Sequence, residues 1–285
     1  MTMGRAARRS LVLWLLAAGL AGPAAAQDCR TETCAIEGGG YNVALPEDAA
    51  GAPMVLWLHG YGRSGGVVMG NEPLVAEVTA RGYALVAADG QQASNNEREI
   101  LDWGVRDGHP LARDDVAYLR AILDDAAARF GLDRDRVVVA GFSRGGSMVW
   151  DLACAAPETG LAYAAVAGGF WEPMIPDCKG PAHLYHSHGF TDTLVPFEGR
   201  EVTFGGRDYH QGNIPAGLEI WRRMNGCMGS AAPLAVDNIW SKTWECETGS
   251  LKLDLLPGGH AIPPGWIDRV LDWAEAGPPG MGSAL

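Results

Sequence analysis

The stretch VVVAGFSRGGSMVWDLAC, residues 137–154, constrains the fold more than any other. Three valines and an alanine make the short apolar run that a strand buried on both faces needs. The turn Gly141-Phe142-Ser143-Arg144-Gly145 follows at once, and an apolar helical pattern begins directly after it. Strand, tight turn and helix in succession match G-x-S-x-G, in which a strained turn holds a serine with its hydroxyl exposed. Glycines two residues either side are expected, because the backbone there passes too close to its neighbours for side chains. The Arg144 N–H would face a substrate oxygen at a helix N-terminus, where developing negative charge is favoured. Spacing alone is unspecific, since Gly62-Arg63-Ser64-Gly65-Gly66 matches it too. Ser64 lies deep in a glycine-rich loop after a strand has ended. An ordinary loop serine is expected there, and the nucleophile at Ser143.

Elsewhere, apolar runs alternate with helical patterns. Strands are expected at 54–60, 83–90, 136–141, 161–169, 182–189 and 251–259, and helices at 72–82, 114–131, 146–156 and 265–277. The helix at 114–131 carries Val116, Leu119, Ile122, Leu123 and Ala126 near the 3.6-residue period, opens on Asp114-Asp115 and stops at Gly131. This alternation predicts an α/β fold with a mostly parallel central sheet covered by helices on both faces. No internal repeat and no linker-like tract divides the chain. A single domain is expected over 27–285, ending in a loose GPPGMGSAL tail.

Residues 1–26 read as an export signal. Arg5, Arg8 and Arg9 precede the apolar LVLWLLAAGLAG, and Ala24-Ala25-Ala26 offers small residues for cleavage. The Arg8-Arg9 pair also fits twin-arginine export, and an uncleaved anchor is the remaining alternative. The protein is therefore expected outside the cytoplasm, secreted or periplasmic. Its net charge is −12, and past the signal no basic run exceeds two residues. That balance argues against nucleic acid and against stable attachment to anionic membranes after cleavage. It fits a neutral substrate. Six cysteines in an exported chain read as disulfides. Sequence leaves their pairing open. Nearest-neighbour bridges, Cys29–Cys34, Cys154–Cys178 and Cys227–Cys246, need the least loop closure and are the expected set.

A serine on such a turn takes its partners in the chain order Ser, Asp or Glu, His. His260 is the one histidine after position 210, in LPGGHAIPPGW between the last strand and the closing helix. Asp192, in the turn GFTDTLVP just past a strand, is the expected acid, with Asp177, Glu198 and Asp208 as rivals. Its carboxylate would orient the imidazole and stabilise the imidazolium. A second oxyanion donor is expected at the Tyr61 backbone N–H, where LWLHGYG ends an earlier strand.

Taken in order, LHGYG, DDVAYLRAIL, VVVAGFSRGGSM, HSHGFTDTLVPFEG, NGC and GGHAIP resemble the secreted polyhydroxybutyrate depolymerase and feruloyl esterase group of α/β-hydrolases. The likeness covers most of 40–275. It implies the α/β-hydrolase fold, ester hydrolysis without a cofactor or metal, and a catalytic set of Ser143, Asp192 and His260. The chain departs from the group at Arg144, where Met or Gln is frequent, and after His260, where Ala-Ile-Pro replaces an aromatic before proline. Action on hydroxyalkanoate oligomers, feruloyl esters or other small esters is expected at least as much as erosion of solid polymer. A short-chain or acetyl-glycan esterase is the alternative. Trp103, Trp171 and Phe197 follow strands on the active-site side and are expected to line the substrate pocket. Two other classes compete: a metal-dependent hydrolase built on His183, His186, His188 and His210, and a non-catalytic binding protein that keeps the fold.

Overall fold

The computed structural model describes residues 1, 29–93, 100–106, 111–204, 206–236 and 238–277. The expected signal beyond Met1 and the tail from 278 onward lie outside the described residues. Chain order runs β1 (Cys34–Ile36), β2 (Gly39–Ala44), β3 (Met54–Leu58), α1 (Gly65–Met69), α2 (Glu72–Ala80), β4 (Ala84–Ala88), β5 (Gln91–Gln92), β6 (Leu101–Asp102), α3 (Asp115–Phe130), β7 (Val137–Phe142) and α4 (Arg144–Ala155). It continues through β8 (Ala162–Val166), β9 (His183–Gly189), β10 (Arg200–Phe204), β11 (Arg207–Gln211), α5 (Ile214–Met224), β12 (Cys227–Ser230), β13 (Leu234–Val236), β14 (Ile239–Cys246), β15 (Ser250–Leu256) and α6 (Trp266–Ala276).

An 11-stranded sheet organises the molecule in the order β1-β2-β4-β3-β7-β8-β9-β15-β14-β12, with β13 also pairing β14. Its centre is parallel from β4 through β15. Both flanks are antiparallel, with β1 and β2 on one side and β14, β12 and β13 on the other. The sheet is thus the expected one at its centre and more mixed at its edges. β3, β4, β7 and β8 are almost wholly apolar because both faces are covered, and β9 and β15 are buried with polar residues among the apolar ones. Met54, Leu56 and Leu58 point into one core with Leu119, Ile122 and Leu123 of α3, Met148 and Leu152 of α4, and Trp221 of α5. Val55 and Trp57 point into the other, with Val75 and Val78 of α2 and Val270 and Leu271 of α6. Each fully buried Leu or Val contributes roughly 1.5–3 kcal/mol.

Local signals act as the chain chemistry requires. Asp114 caps α3 by accepting from the Ala117 N–H (3.1 Å), and Gly131 ends it in the left-handed region (φ 68°). Ser64 is a helix cap: its hydroxyl accepts from the Val67 N–H at the start of α1. Helix α4 begins at Arg144, two residues before the expected start, leaving no loop between the serine and the helix. Three disulfides join Cys29–Cys34, Cys154–Cys178 and Cys227–Cys246. The last ties β12 to β14, and the second ties α4 to the 171–182 loop.

Candidate active site

Ser143 stands between β7 and α4 with φ 57° and ψ −121°, a conformation that L residues rarely adopt. The glycines around it answer to contacts. A Cβ on Gly141 would lie 2.6 Å from the Gly145 carbonyl oxygen, and one on Gly145 would overlap the Leu58 carbonyl of β3. The turn is wedged between neighbouring strands, and this close packing holds the strained backbone in place.

β7, β9 and β15 are linked in parallel through β8, so their carboxyl ends share one sheet edge. Ser143 follows β7, Asp192 follows β9 and His260 follows β15. The Asp and His loops are laced together: Phe190 N–H donates to the Leu256 carbonyl and Thr191 N–H to that of Gly258, both at 2.9 Å. A Cβ on Gly189 would strike the Gly259 carbonyl, so the glycines before His260 permit the approach. The Ser143 hydroxyl donates to His260 Nε2 (2.9 Å), and His260 Nδ1–H donates to Asp192 Oδ2 (2.8 Å). Backbone N–H groups of Leu194 and Val195 donate to Asp192 Oδ1, both at 2.9 Å. The carboxylate side chain is fully buried while the imidazole keeps 14 % exposure towards the cavity. Asp177, Glu198 and Asp208 take no part in this chain of hydrogen bonds.

Behind Asp192 lie two buried neutral imidazoles. Burial, the largest cause, holds His188 below its ordinary pKa despite the Val195 carbonyl and Asp192. Burial and the neighbouring His188 hold His186 well below its own. His186 Nε2 meets His188 Nδ1 at 3.1 Å, and His188 Nε2–H donates to the Val195 carbonyl at 2.8 Å. His183 projects to the other sheet face and bonds the Ser250 hydroxyl. His210 sits on β11, so the four histidines weighed as ligands do not converge. Among the described residues no group of three or more His, Cys, Asp or Glu is placed to hold a metal ion.

Tyr61 lies in the loop after β3, 40 % exposed. That loop passes beside the serine: a Cβ on Gly60 would lie 3.5 Å from Ser143 Cβ. Arg144 opens α4, so its backbone N–H belongs to the helix N-terminus. The Arg144 side chain is buried and clasps Asp102, Nε to Oδ1 at 2.8 Å and Nη2 to Oδ2 at 3.3 Å. It also lies over the Trp171 ring at 4.9 Å.

Two cavities meet at Ser143 and His260. One, of about 330 Å³, runs towards Trp171 and the β10–β11 hairpin. The other, of about 460 Å³, runs between Tyr61, Phe142 and Ile262. Trp171 lines the first, its indole N–H donating to Ser147 (3.2 Å). The other two aromatic expectations need correction. Trp103 is fully buried below the floor, its indole N–H donating to the His59 carbonyl (2.8 Å), and it props the Tyr61 loop rather than lining a cavity. Phe197 packs edge-on against His188 (5.3 Å between centroids) and borders a separate groove near Trp240. Burial took Trp103, and Phe197 is half-buried on another face, because an aromatic at a strand end fits the core or a neighbouring groove as well as the cleft. The hairpin wall, Arg200, Val202, Tyr209 and Gln211, was not anticipated, although Gly205-Gly206 between alternating residues is a hairpin signal.

No family model matches the chain. Among curated proteins it is 33 % identical over 161 residues to "Putative esterase NocK" of Nocardia uniformis subsp. tsuyamanensis, covering 55 % of this chain and 44 % of that one. It is 29 % identical over 227 residues to "Probable feruloyl esterase C" of Aspergillus terreus, covering 69 % and 78 %. The chain spans less than half the length of NocK and of the Aspergillus niger "Probable feruloyl esterase C" (43 %). Among solved structures, an acetyl xylan esterase from Aspergillus awamori superposes with TM-score 0.57 at 15 % identity, over 87 % of this chain and 95 % of the other. A Bacillus cereus carboxylesterase does so with 0.53 at 14 %, over 82 % and 92 %. The chain has the α/β-hydrolase fold, and its likeness in sequence is to proteins named as esterases.

Proposed function

We propose that this protein is an exported serine esterase that cleaves carboxylic esters through an acyl-enzyme on Ser143. The observation that carries the reading is the continuous hydrogen-bonded series from the Ser143 hydroxyl through His260 to the buried Asp192. In the proposed mechanism His260 Nε2 takes the Ser143 proton as Oγ attacks the ester carbonyl. Asp192 holds the Nδ1–H tautomer and stabilises the imidazolium. The oxyanion rests on the backbone N–H groups of Arg144 and Tyr61, and each such donor is worth about 2.7–4 kcal/mol of barrier. His260 returns the proton to the leaving alcohol, and water then releases the acid by the reverse steps.

Sequence likeness to feruloyl esterases favours a feruloyl or related small ester. Depolymerase action on hydroxybutyrate oligomers rests on the motif resemblance, with short-chain and acetyl-glycan esters as the alternative. The cavity of about 330 Å³ lies at the small end of ligand pockets and suits a short acyl or alcohol group. Export is supported by the N-terminal pattern of residues 1–26 and by the three disulfides, which persist in oxidising compartments. The mature enzyme would then be a single domain from residue 27. Among the described residues no helix is long and apolar enough to cross a membrane.

The test is hydrolysis of p-nitrophenyl acetate, p-nitrophenyl butyrate and methyl ferulate by wild type and Ser143→Ala, with a fluorophosphonate probe to mark the serine. Turnover and labelling are expected to vanish together in the variant. Equal rates in both proteins would refute the assignment.

A further inference from the structure

The β10–β11 hairpin has two unlike faces. Arg200 pairs with Gln211 and Val202 with Tyr209, and all four line the cavity beside Ser143. Glu201, Thr203, Asp208 and His210 occupy the alternate positions, where Thr203 donates to Asp208 (2.8 Å). The acids of the hairpin therefore face away from the cavity. Of its two arginines, Arg200 lines the cavity and Arg207 stands exposed at the hairpin tip. The base of the hairpin is anchored to the body. Trp171 bridges to Gln211, and the Glu172 and Gly212 N–H groups bond the His210 and Phe170 carbonyls at 2.9 and 3.1 Å.

The cavity holds two guanidinium groups and one carboxylate, Asp102. Arg144 occupies that carboxylate. Arg200 donates from Nε to Gln211 Oε1 (3.2 Å), and among the described residues no carboxylate forms an ion pair with it. The bond at Nε comes from a buried glutamine and orients the guanidinium, so the terminal nitrogens remain for a ligand. Val202 and Leu194 make the surface near it apolar. A planar guanidinium beside an apolar channel matches a carboxylate at the end of a short hydrocarbon stretch.

We infer that Arg200 is a specificity residue for esters that carry a free carboxylate a few carbons from the scissile bond, such as the acid end of a hydroxy-acid oligoester or a dicarboxylic half-ester. This rests on the esterase reading above and revises the expectation of a neutral substrate. The net charge of −12 does not oppose it. Distant surface charges are screened beyond about 8 Å at physiological salt, so the nearby guanidinium decides.

The experiment compares p-nitrophenyl half-esters of succinic, glutaric and adipic acids with their methyl-capped counterparts. O-Acetyl-3-hydroxybutyrate against its amide covers a carboxylate on the alcohol side. Arg200→Gln is expected to lower the ratio of kcat/KM for the anionic over the capped ester about tenfold or more, mainly through KM, as loss of a charge-assisted hydrogen bond does. Arg200→Lys restores part of the ratio, because it keeps the charge and loses the fork. A ratio that moves less than about twofold for every chain length, on both sides of the ester, would overturn the inference. Calorimetric binding of monomethyl glutarate to Ser143→Ala, and its loss on adding Arg200→Gln, gives a readout free of turnover. Arg200-dependent binding by a protein that hydrolyses none of the esters would support this inference and sink the esterase reading. Ser143-dependent turnover with no Arg200 dependence in ratio or binding would sink this inference alone.

Discussion

His59 ties the acid stability of this protein to the loop beside the serine. Its side chain is buried, with the residue 1 % exposed. Nδ1–H donates to the Gly60 carbonyl and Nε2 accepts from the Gly90 N–H, both at 2.9 Å. Both ring nitrogens are satisfied only in the neutral form, since a proton on Nε2 would confront the Gly90 N–H. Burial, the largest cause, together with the charge of Arg113, pushes the imidazole from 6.5 down to about 4, against the bond to Gly60. The unfolded chain therefore takes up a proton between pH 6.5 and about 4 that the folded chain refuses. The stabilisation is complete above 6.5 and is lost as pH falls to about 4, below which both states are protonated. At about 1.36 kcal/mol per pH unit across that window, the loss is roughly 3 kcal/mol. Urea unfolding of wild type and His59→Gln at steps from about pH 7.5 to about pH 4 isolates it, because acids and other histidines cancel in the difference. His183, also held down to about 4 by burial, is among those that cancel. Wild type is expected to lose roughly 3 kcal/mol more than the variant across the window. Parallel pH profiles for the two proteins would refute the reasoning.

Asp192→Asn keeps the shape of the acid but no longer holds His260 in the required tautomer. It is expected to lower kcat on the order of 10⁴-fold with little change in the unfolding midpoint, as steady-state kinetics beside a urea titration would show. Arg144→Met removes the guanidinium that neutralises the buried Asp102 carboxylate, and unfolding should show a loss of about 3–5 kcal/mol. A variant as stable as wild type would mean that Asp102 finds another partner.

How much of this was readable in advance follows from where the constraints lie. β3, β4, β7 and β8 are nearly continuous apolar runs because helices cover both faces of the sheet, so they announce themselves, while β9 and β15 mix polar with apolar residues. The turn at Ser143 is legible as well: a Cβ on Gly141 would strike the Gly145 carbonyl four residues on and one on Gly145 the Leu58 carbonyl of β3, so both positions require glycine. The order of Ser143, Asp192 and His260 along the chain follows from the same sheet, whose parallel strands deliver three loops to one edge.

The remainder was settled by packing between distant segments. The antiparallel flank beyond β15 carries exposed or half-exposed strands whose patterns are weak, as in Leu234–Val236 and Ile239–Cys246. Trp103 and Trp171 look alike in sequence, each an aromatic beyond a strand. Only the folded chain puts one under the Tyr61 loop and the other in the cavity wall. Arg144 and Asp102 are 42 residues apart and reveal nothing of each other until the turn and the 100–106 loop meet. Sequence by itself determined the periodicities and the glycine spacing of the turn, because both are written within a few residues of chain. Tertiary structure alone decided which side chains face the cavity and which ions are paired, because both depend on groups that the chain brings together only when it folds.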